Sequence, residues 1–222
     1  MSAAFFVAGT DTGVGKTFFS VALLRRFGAL GLRAAGMKPI AAGCQQGRNE
    51  DVEALLSAST PGLERSLVCP YLFEPPIAPH IAAREAGVQI DLGVIEAAFR
   101  QLQSQAEALV VEGVGGFRVP LDERLDAGAI PQRLGLPVIL VVGLRLGCLN
   151  HALLTQEAIE AEGLAFAGWV ANRIDPAMAR ARENVETLRE RLRAPLLAEV
   201  PFGAPSGLPV ALERLWPALG SP

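Results

Sequence analysis

The chain has 222 residues, half of them hydrophobic, and carries a formal net charge of −3. This length suits a single α/β domain over residues 1–222, because domains usually contain about 100–200 residues. The charge is nearly balanced and no lysine-arginine block occurs, which argues against nucleic acid or an anionic membrane as the main partner, so we expect small-molecule partners.

Strand-like and helix-like segments alternate along the chain. This pattern predicts an α/β fold with a mainly parallel central sheet and helices on both faces, and the near-continuous apolar character of the strands fits burial on both sides. The predicted strands are residues 5–8, 33–37, 109–111, 138–142, 166–171 and 196–200. The predicted helices are residues 16–30, 52–57, 92–106, 127–134, 151–162, 177–192 and 210–219.

Two segments between these elements have their own signals. Residues 69–89 contain four prolines and predict a long irregular loop. Asp175-Pro176 predicts a helix start, because aspartate is a good N-cap residue and proline fits the first helical position.

The first predicted strand runs directly into Gly9-Thr-Asp-Thr-Gly-Val-Gly-Lys-Thr17, which predicts a phosphate-binding loop and a P-loop NTPase-like fold. Lys16 would reach the β- and γ-phosphates of ATP, and the Thr17 hydroxyl would bind Mg²⁺. The usual pattern has glycine where this chain has Thr10, so the loop is a variant. A glycine-rich turn that binds nothing is the alternative; the strand before and the helix after favour phosphate binding.

Polar residues follow several predicted strands, and ligands of open parallel sheets bind beyond the carboxyl ends of the strands. Glu112 stands where a Walker-B acid would hold Mg²⁺, or it is a solvated residue at the rim. Lys38 would neutralise charge near the γ-phosphate, or it is an ordinary surface lysine. Asp51 is a helix N-terminal acid or a third Mg²⁺ ligand. Asn172 would face the adenine edge, or it is a turn asparagine.

The residues of five blocks together closely resemble dethiobiotin synthetase, a family of P-loop enzymes. They are Gly9-Thr-Asp-Thr-Gly-Val-Gly-Lys-Thr17, Lys38-Pro-Ile-Ala-Ala-Gly43, Val111-Glu-Gly-Val-Gly-Gly116, Gly147-Cys-Leu-Asn-His-Ala152 and Gly168-Trp-Val-Ala-Asn172. The P-loop and the glutamate-glycine block recur in cobyrinate amidating enzymes. Lysine-proline after the second strand, joined with the last two blocks, is much more specific.

The resemblance implies an ATP- and Mg²⁺-dependent ligase of biotin biosynthesis. Its substrates would be 7,8-diaminononanoate and CO₂ or bicarbonate, and its product dethiobiotin, a cyclic urea. One amine would take up CO₂ as a carbamate, whose oxygen attacks the γ-phosphate to give a carbamic-phosphoric anhydride. The second amine then closes the ring. This chemistry needs positioning and charge neutralisation more than covalent help from the protein.

The resemblance also implies roles for individual residues. The catalytic residues would be Lys16, Lys38 and Thr12, and the metal ligands Thr17, Asp51 and Glu112. The nucleotide would contact Gly13, Val14, Gly15, Lys16, Thr17, Phe18, Asp51, Glu112, Gly113, Val114, Gly115, Asn172, Arg173, Pro201, Phe202 and Gly203. The substrate would contact Lys38 and Ala42, together with Gly147, Cys148, Leu149 and Asn150 from the partner chain of a homodimer.

Two positions depart from the family pattern. Gly13 stands where some members carry an acidic side chain, and Ala42 stands where many carry serine beside the substrate. Losing one neutral hydrogen bond costs about 0.5–1.5 kcal/mol, so we expect weaker substrate binding and retained activity.

Three rival functions have discriminating features. A deviant-P-loop switch ATPase of the partition or septum-positioning type would carry a lysine near the start of the loop, where this chain has Asp11, and often ends in an amphipathic membrane helix. A cobyrinate-type amidating enzyme would add a glutaminase domain. A non-catalytic nucleotide-binding module is disfavoured only weakly, by Lys38.

Cysteine usage and hydropathy bear on location. Cys44, Cys69 and Cys148 are far apart and form no C-x-x-C pair, which indicates reduced thiols and a cytoplasmic protein. The longest apolar run, residues 137–144, is far below the ~18 residues of a spanning helix, and no basic region precedes the first apolar run. We therefore expect neither export nor membrane insertion.

Overall fold

The computed structural model describes residues 3–204 and 210–215 of the chain. The strands are β1 (Ala3–Gly9), β2 (Ala34–Met37), β3 (Ile40–Ala42), β4 (Tyr71–Phe73), β5 (Ala108–Glu112), β6 (Val138–Leu144), β7 (Phe166–Arg173) and β8 (Leu196–Val200). The helices are α1 (Lys16–Ala29), α2 (Glu50–Ala58), α3 (Arg65–Val68), α4 (Pro79–Glu85), α5 (Leu92–Gln105), α6 (Ala129–Leu134), α7 (Cys148–Ala161) and α8 (Ala181–Arg191), and a 3₁₀ turn covers Leu212–Arg214. None of these helices is long and apolar enough to cross a membrane.

Six strands form a parallel sheet in the order β2-β5-β1-β6-β7-β8, and β3 pairs with β4 in a separate small sheet. The order matters for function because it places the carboxyl ends of β2, β5 and β1 side by side. The residues that follow these strands therefore meet at one edge of the sheet, although they are far apart in sequence.

Alternating side chains of the strands pack against helices on opposite faces of the sheet. Phe5 and Val7 of β1 belong to a buried cluster with α1, whereas Phe6 and Ala8 belong to a second cluster with α5, α7 and α8. Burying one such aromatic side chain contributes about 1.5–3 kcal/mol. The prediction of a mainly parallel sheet covered on both faces is confirmed, and all six predicted strands are present.

The prediction of a long irregular loop over residues 69–89 is wrong, because this segment contains β4 and α4. The elements β3 and α3 were also not predicted. They are only three and four residues long, so no periodicity can develop, and the prolines around them resemble loop signals.

The predicted helix start at Asp175-Pro176 is wrong as well. Asp175 Oδ1 accepts a hydrogen bond from the Ala177 amide at 2.9 Å, which makes a turn. Arg180 then has a φ of 55°, a left-handed conformation that separates this turn from α8. The predicted helix over residues 210–219 is only the 3₁₀ turn within residues 210–215, and the remainder lies outside the described residues.

Candidate functional site

The loop after β1 has the backbone conformation of an anion-binding turn. Gly13 and Gly15 have φ values of 73° and 90°, and Gly15 is the N-cap residue of α1. Residues with side chains rarely adopt such angles, which explains glycine at both positions. The unpaired amides at the start of α1 therefore face the carboxyl end of the sheet, where a phosphate group would find donors and a favourable helix dipole.

Lys16, the first residue of α1, points across this loop. It is 6% exposed, and its Nζ donates to the backbone oxygens of Asp11 at 3.0 Å and Gly115 at 2.6 Å. Burial, helped by the charge of Lys38, lowers the Lys16 pKa to about 8 despite the opposing carboxylates. Its present partners are neutral carbonyls, so phosphate oxygens would bind this ammonium more strongly.

A second cluster joins four side chains from four different elements. Lys38 Nζ, just after β2, donates to Glu112 Oε1 at 2.5 Å and to Asp51 Oδ2 at 2.8 Å. Thr17 Oγ1 lies 2.8 Å from Glu112 Oε1 and 2.8 Å from Asp51 Oδ1. Lys38 is 4% exposed and Glu112 is 0% exposed, so neither is a solvated residue at the rim.

The electrostatics of this cluster keep Lys38 and Asp51 charged. Burial opposes protonation of Lys38, but Glu112 and Asp51 outweigh it and raise the pKa of Lys38. Burial also opposes ionisation of Asp51, but the charge and hydrogen bond of Lys38, with the Thr17 hydroxyl, hold the pKa of Asp51 below its usual value. The cluster is therefore a charged network held by mutual contacts.

Asn49 explains how Asp51 reaches this cluster. The Asn49 side chain is the N-cap of α2: its oxygen accepts from the amides of Asp51 at 3.1 Å and Val52 at 3.4 Å, and its Nδ2 donates to the Ala42 oxygen at 3.2 Å. This residue thus ties the start of α2 to β3. Asp51 lies in the first turn of α2, where the helix dipole favours a negative charge.

The residues present fit a magnesium ion. Two carboxylates and a hydroxyl are the hard oxygen ligands that Mg²⁺ prefers, and water and phosphate usually complete its shell. Thr17 has one proton and so can donate to only one of the two carboxylate oxygens near it. Glu112 Oε2 is buried and has no hydrogen-bond partner among the described residues. An oxygen in that state needs a cation or a donor.

A cavity of about 690 Å³ opens between the P-loop and the segment before α4. This is within the range of small-molecule sites, which are typically about 300–1,000 Å³. The predicted residues that line it are Thr12, Gly13, Gly15, Lys16, Thr17, Lys38, Ala42, Asp51, Glu112, Val114 and Gly115. Five separate segments of the chain thus converge on one cavity with lysines, carboxylates and a glycine-rich turn in its wall.

Comparisons with known proteins point to one family. The model of an AAA domain family matches residues 3–207. The ATP-dependent dethiobiotin synthetase of Aromatoleum aromaticum is 57% identical over 207 residues, which cover 90% of this chain and 91% of that protein. The protein of the same name from Nitrosospira multiformis is 54% identical, with 91% and 89% covered. The chain belongs to the dethiobiotin synthetase family.

Solved structures of more distant proteins share the fold of this dethiobiotin synthetase family member. The septum site-determining protein MinD of Pyrococcus horikoshii, solved with Mg-ADP, aligns with a TM-score of 0.55 at 17% identity, covering 96% of this chain and 89% of that one. MinD of Aquifex aeolicus aligns with a TM-score of 0.58 at 15% identity, with 100% and 98% covered. Identities this low establish the fold alone.

Several residues that the dethiobiotin synthetase resemblance assigns to the nucleotide lie outside the main cavity. Asn172 is at the end of β7 and contacts the P-loop: its Nδ2 donates to the Val14 oxygen at 2.7 Å. Arg173 and Pro201 line a separate cavity of about 230 Å³ beside Leu144. Phe202 is 58% exposed. An adenine contact by residues of this group stays a prediction.

The predicted substrate residues Gly147, Cys148, Leu149 and Asn150 do not line the main cavity of the same chain. They form the start of α7, where Gly147 is the N-cap with a φ of 96°. Their position is compatible with the expected contribution to a partner's site, which stays a prediction.

Sequence reasoning missed part of the cavity wall in this dethiobiotin synthetase family member. The segment Pro76, Ile77, Ala78 and Pro79 closes one side, and Asn49 lies at the other. The proline-rich composition of residues 69–89 was the available signal, because long ordered loops in such folds often carry function. Asn49 could have been found as an N-cap immediately before the acidic residues Glu50 and Asp51.

Proposed function

We propose that the protein is an ATP- and Mg²⁺-dependent dethiobiotin synthetase that carboxylates 7,8-diaminononanoate and closes its cyclic urea. The observation that carries the proposal is the pair of buried lysines, Lys16 and Lys38, facing one cavity with the carboxylates Asp51 and Glu112. Relatives that are 54–57% identical over about nine tenths of the chain bear that name.

The first step that we propose occurs on the substrate. One amine nitrogen attacks the carbon of CO₂ and loses a proton, giving a carbamate. The cavity wall with Lys38 and Thr12 would favour this anion, because the developing negative charge meets the Lys38 ammonium. Ala41 and Ala42 keep this side of the cavity apolar and small, which leaves room for a chain of methylenes.

The second step transfers the γ-phosphoryl group to the carbamate oxygen, with ADP as leaving group. Lys16 would hold the β- and γ-phosphate oxygens, and the amides from Gly13 to Thr17 would bind the remaining phosphate oxygens. Lys38 would neutralise charge that develops on the transferring group. Thr17, Asp51 and Glu112 would hold Mg²⁺, and this ion would supply neutralisation of phosphate charge.

The third step closes the ring. The second amine attacks the carbonyl carbon of the carbamic-phosphoric anhydride, the carbon–oxygen bond breaks, and inorganic phosphate leaves with the electron pair. The protein contributes position here: the amine and the carbonyl belong to one bound molecule, and holding reacting atoms in contact replaces a bimolecular encounter. The same lysines then stabilise the departing phosphate.

Two further properties belong to the proposal. We propose a cytoplasmic homodimer, supported by two exposed leucines: Leu146, just before α7, is 95% exposed, and Leu154, within α7, is 55% exposed. These leucines would lie in an interface between copies that contains the predicted substrate residues Gly147 to Asn150. Light scattering on the purified protein measures the mass, and a monomer at working concentration would contradict this part.

The activity test combines the purified protein with ATP, Mg²⁺, bicarbonate and 7,8-diaminononanoate, with mass spectrometry of the products. We expect dethiobiotin, ADP and phosphate in equal amounts. Absence of dethiobiotin at every enzyme concentration would overturn the proposal.

A switch ATPase of the septum-positioning type is the second candidate, and the fold similarity to MinD is the observation that favours it. Asp11, however, stands where such proteins carry a lysine, and in this chain it forms an ion pair with Arg145. ATP hydrolysis that is stimulated by lipid or DNA and indifferent to the diamine would support this candidate.

A further inference from the structure

Two cations compete for the same oxygens in this site. Glu112 Oε1 is 2.5 Å from Lys38 Nζ and 2.8 Å from Thr17 Oγ1. Asp51 instead uses two oxygens, with Oδ2 facing Lys38 Nζ and Oδ1 facing Thr17 Oγ1. The proposed function assigns both carboxylates and the Thr17 hydroxyl to Mg²⁺, and Lys38 holds one oxygen of each carboxylate.

An ammonium and a divalent ion cannot share these positions. A carboxylate oxygen in contact with Mg²⁺ at about 2.1 Å would bring the ion against the lysine nitrogen. Like charges at such separations repel strongly in a buried site, where water screens poorly. Glu112 is 0% exposed and Lys38 is 4% exposed, so water cannot screen the repulsion between the ion and the ammonium. Movement of the Lys38 side chain would relieve this repulsion.

The balance of charge in the cluster also favours exchange of Lys38 for a divalent ion. Glu112 and Asp51 carry two negative charges, and Lys38 neutralises one of them. A divalent ion neutralises both, and the unpartnered Glu112 Oε2 offers it a further ligand atom. Lysine suits an exchangeable role because its ammonium is a compact charge on a flexible stem, whereas arginine favours fixed bidentate pairing. Lys16 and Lys38 are the only lysines of the chain, and every other basic side chain except histidine is arginine.

We propose that the Lys38 ammonium is a built-in occupant of the metal site: it holds the two carboxylates together and is displaced by the arriving divalent cation into the cavity. Once displaced, it faces the position of the transferring phosphoryl group. The proposal rests on the metal ligand set of the proposed function. It adds that metal binding and delivery of the catalytic lysine are one event.

The test measures Mn²⁺ binding without nucleotide, by electron paramagnetic resonance of the free ion, for the wild type and Lys38→Met. Methionine keeps the length of the side chain and removes its charge. We expect Lys38→Met to bind Mn²⁺ at least about tenfold more tightly, because the competitor is gone; tenfold corresponds to about 1.4 kcal/mol. Equal or weaker binding by this variant overturns the proposal.

Two controls separate competition from general charge effects. Lys16→Met removes a buried charge whose Nζ donates to the backbone oxygens of Asp11 and Gly115, so its gain in Mn²⁺ affinity should be clearly smaller. An equal gain would mean long-range electrostatics and would overturn the exchange. Lys38→Arg keeps the charge and should show no gain in affinity.

The outcomes also separate the exchange from the metal site itself. If neither the wild type nor Lys38→Met binds Mn²⁺, the ligand set of the proposed function fails together with the exchange. If both bind Mn²⁺ equally, the ligand set stands and only the exchange fails.

A measurement on the wild type keeps the proposal testable if Lys38→Met does not fold. Labelling with ¹⁵N-lysine gives two side-chain Nζ signals, because the chain has two lysines. Addition of Mg²⁺ without nucleotide should shift the signal of Lys38 and broaden it as its hydrogen bonds to the carboxylates break. An unchanged Lys38 signal at Mg²⁺ concentrations that displace Mn²⁺ would overturn the exchange.

Discussion

Gly15 packs so closely against Asn172 that it has no room for a side chain: a β-carbon on Gly15 would lie 2.1 Å from Asn172 Nδ2. No real contact of this kind is that short, and Gly15 also has a φ of 90°. The end of β7 therefore determines the shape of the phosphate-binding loop through one side chain, about 160 residues away in sequence.

We expect Gly15→Ala to abolish nucleotide binding, because the new methyl group forces the loop away from Asn172 and from its left-handed conformation. Fluorescence titration with a labelled ATP analogue measures the binding. Gly28→Ala is the matched control: it lies in α1, has no heavy atom within 4 Å of an added β-carbon, and should bind normally. Normal ATP affinity in Gly15→Ala would contradict this account of the loop.

Asn172→Ala should raise the KM for ATP by about tenfold, because the Val14 oxygen loses its donor and the loop loses its support; a buried group without a partner costs about 1–3 kcal/mol. Asn172→Asp should raise the KM for ATP further, since a carboxylate repels the Val14 oxygen and the phosphates. Steady-state kinetics with varied ATP measures both. Equal KM values in all three proteins would show that the hydrogen bond has no role in binding.

Removing either buried lysine should reduce turnover by at least about 100-fold, the usual loss when a charge-stabilising donor is removed. The variants are Lys16→Ala and Lys38→Ala, with dethiobiotin quantified by mass spectrometry. We expect Lys16→Ala to weaken ATP binding as well. Cys44→Ser is the control, because Cys44 is buried outside the cavity wall and should keep activity close to wild type. Normal turnover in Lys38→Ala would refute its catalytic role.

Ala42 lines the cavity on the side of the small sheet. Ala42→Ser adds a hydroxyl to this wall and should lower the KM for the diamine by up to about tenfold, equivalent to one hydrogen bond of about 0.5–1.5 kcal/mol. The KM for ATP should not change, which serves as the internal control. A higher KM for the diamine would place the substrate away from this position.

Cys69 gives a pH dependence of stability with a defined sign. Burial raises the pKa of the Cys69 thiol from about 9 to about 12, so the folded protein keeps the proton at pH 10 and the unfolded chain releases it. Stability therefore falls as the pH rises above 9, by about 1.4 kcal/mol at pH 10 from this thiol alone. Urea unfolding at pH 8 and pH 10 measures this loss in the free energy of unfolding. Between these two pH values, the free energy of unfolding should fall by about 1.4 kcal/mol less in Cys69→Ala than in the wild type. An identical pH dependence in the two proteins would contradict the raised pKa.

The parts of the site that sequence predicts are those in which one residue type follows directly from a local requirement. A strand followed by Gly13, Gly15, Lys16 and Thr17 predicts a phosphate-binding loop. Glycine permits the turn, lysine binds phosphate and threonine binds Mg²⁺ in such loops. Glu112 was identifiable for the same reason, as an acid at the end of a buried strand.

Other parts depend on contacts that no local pattern contains. Spacing alone could not decide whether Lys38 is a surface residue, since its burial results from two carboxylates 13 and 74 residues away. Likewise, Asp175-Pro176 carries a strong helix signal, yet Asp175 uses its oxygen in a turn and Arg180 interrupts the backbone before α8. The burial of Lys38 is thus a tertiary effect, whereas at Asp175 a local turn replaces the predicted helix start.

The order of strands in the sheet also has a consequence for how the protein folds. The pairs that build the site join residues 74, 95 and 99 positions apart, between Lys38 and Glu112, Thr17 and Glu112, and Lys16 and Gly115. Contacts of such separation form late in folding, because closing long loops costs entropy before any contact repays it. A partly folded chain thus has no formed nucleotide site. ATP therefore stabilises only the fully folded protein and protects it selectively from proteolysis.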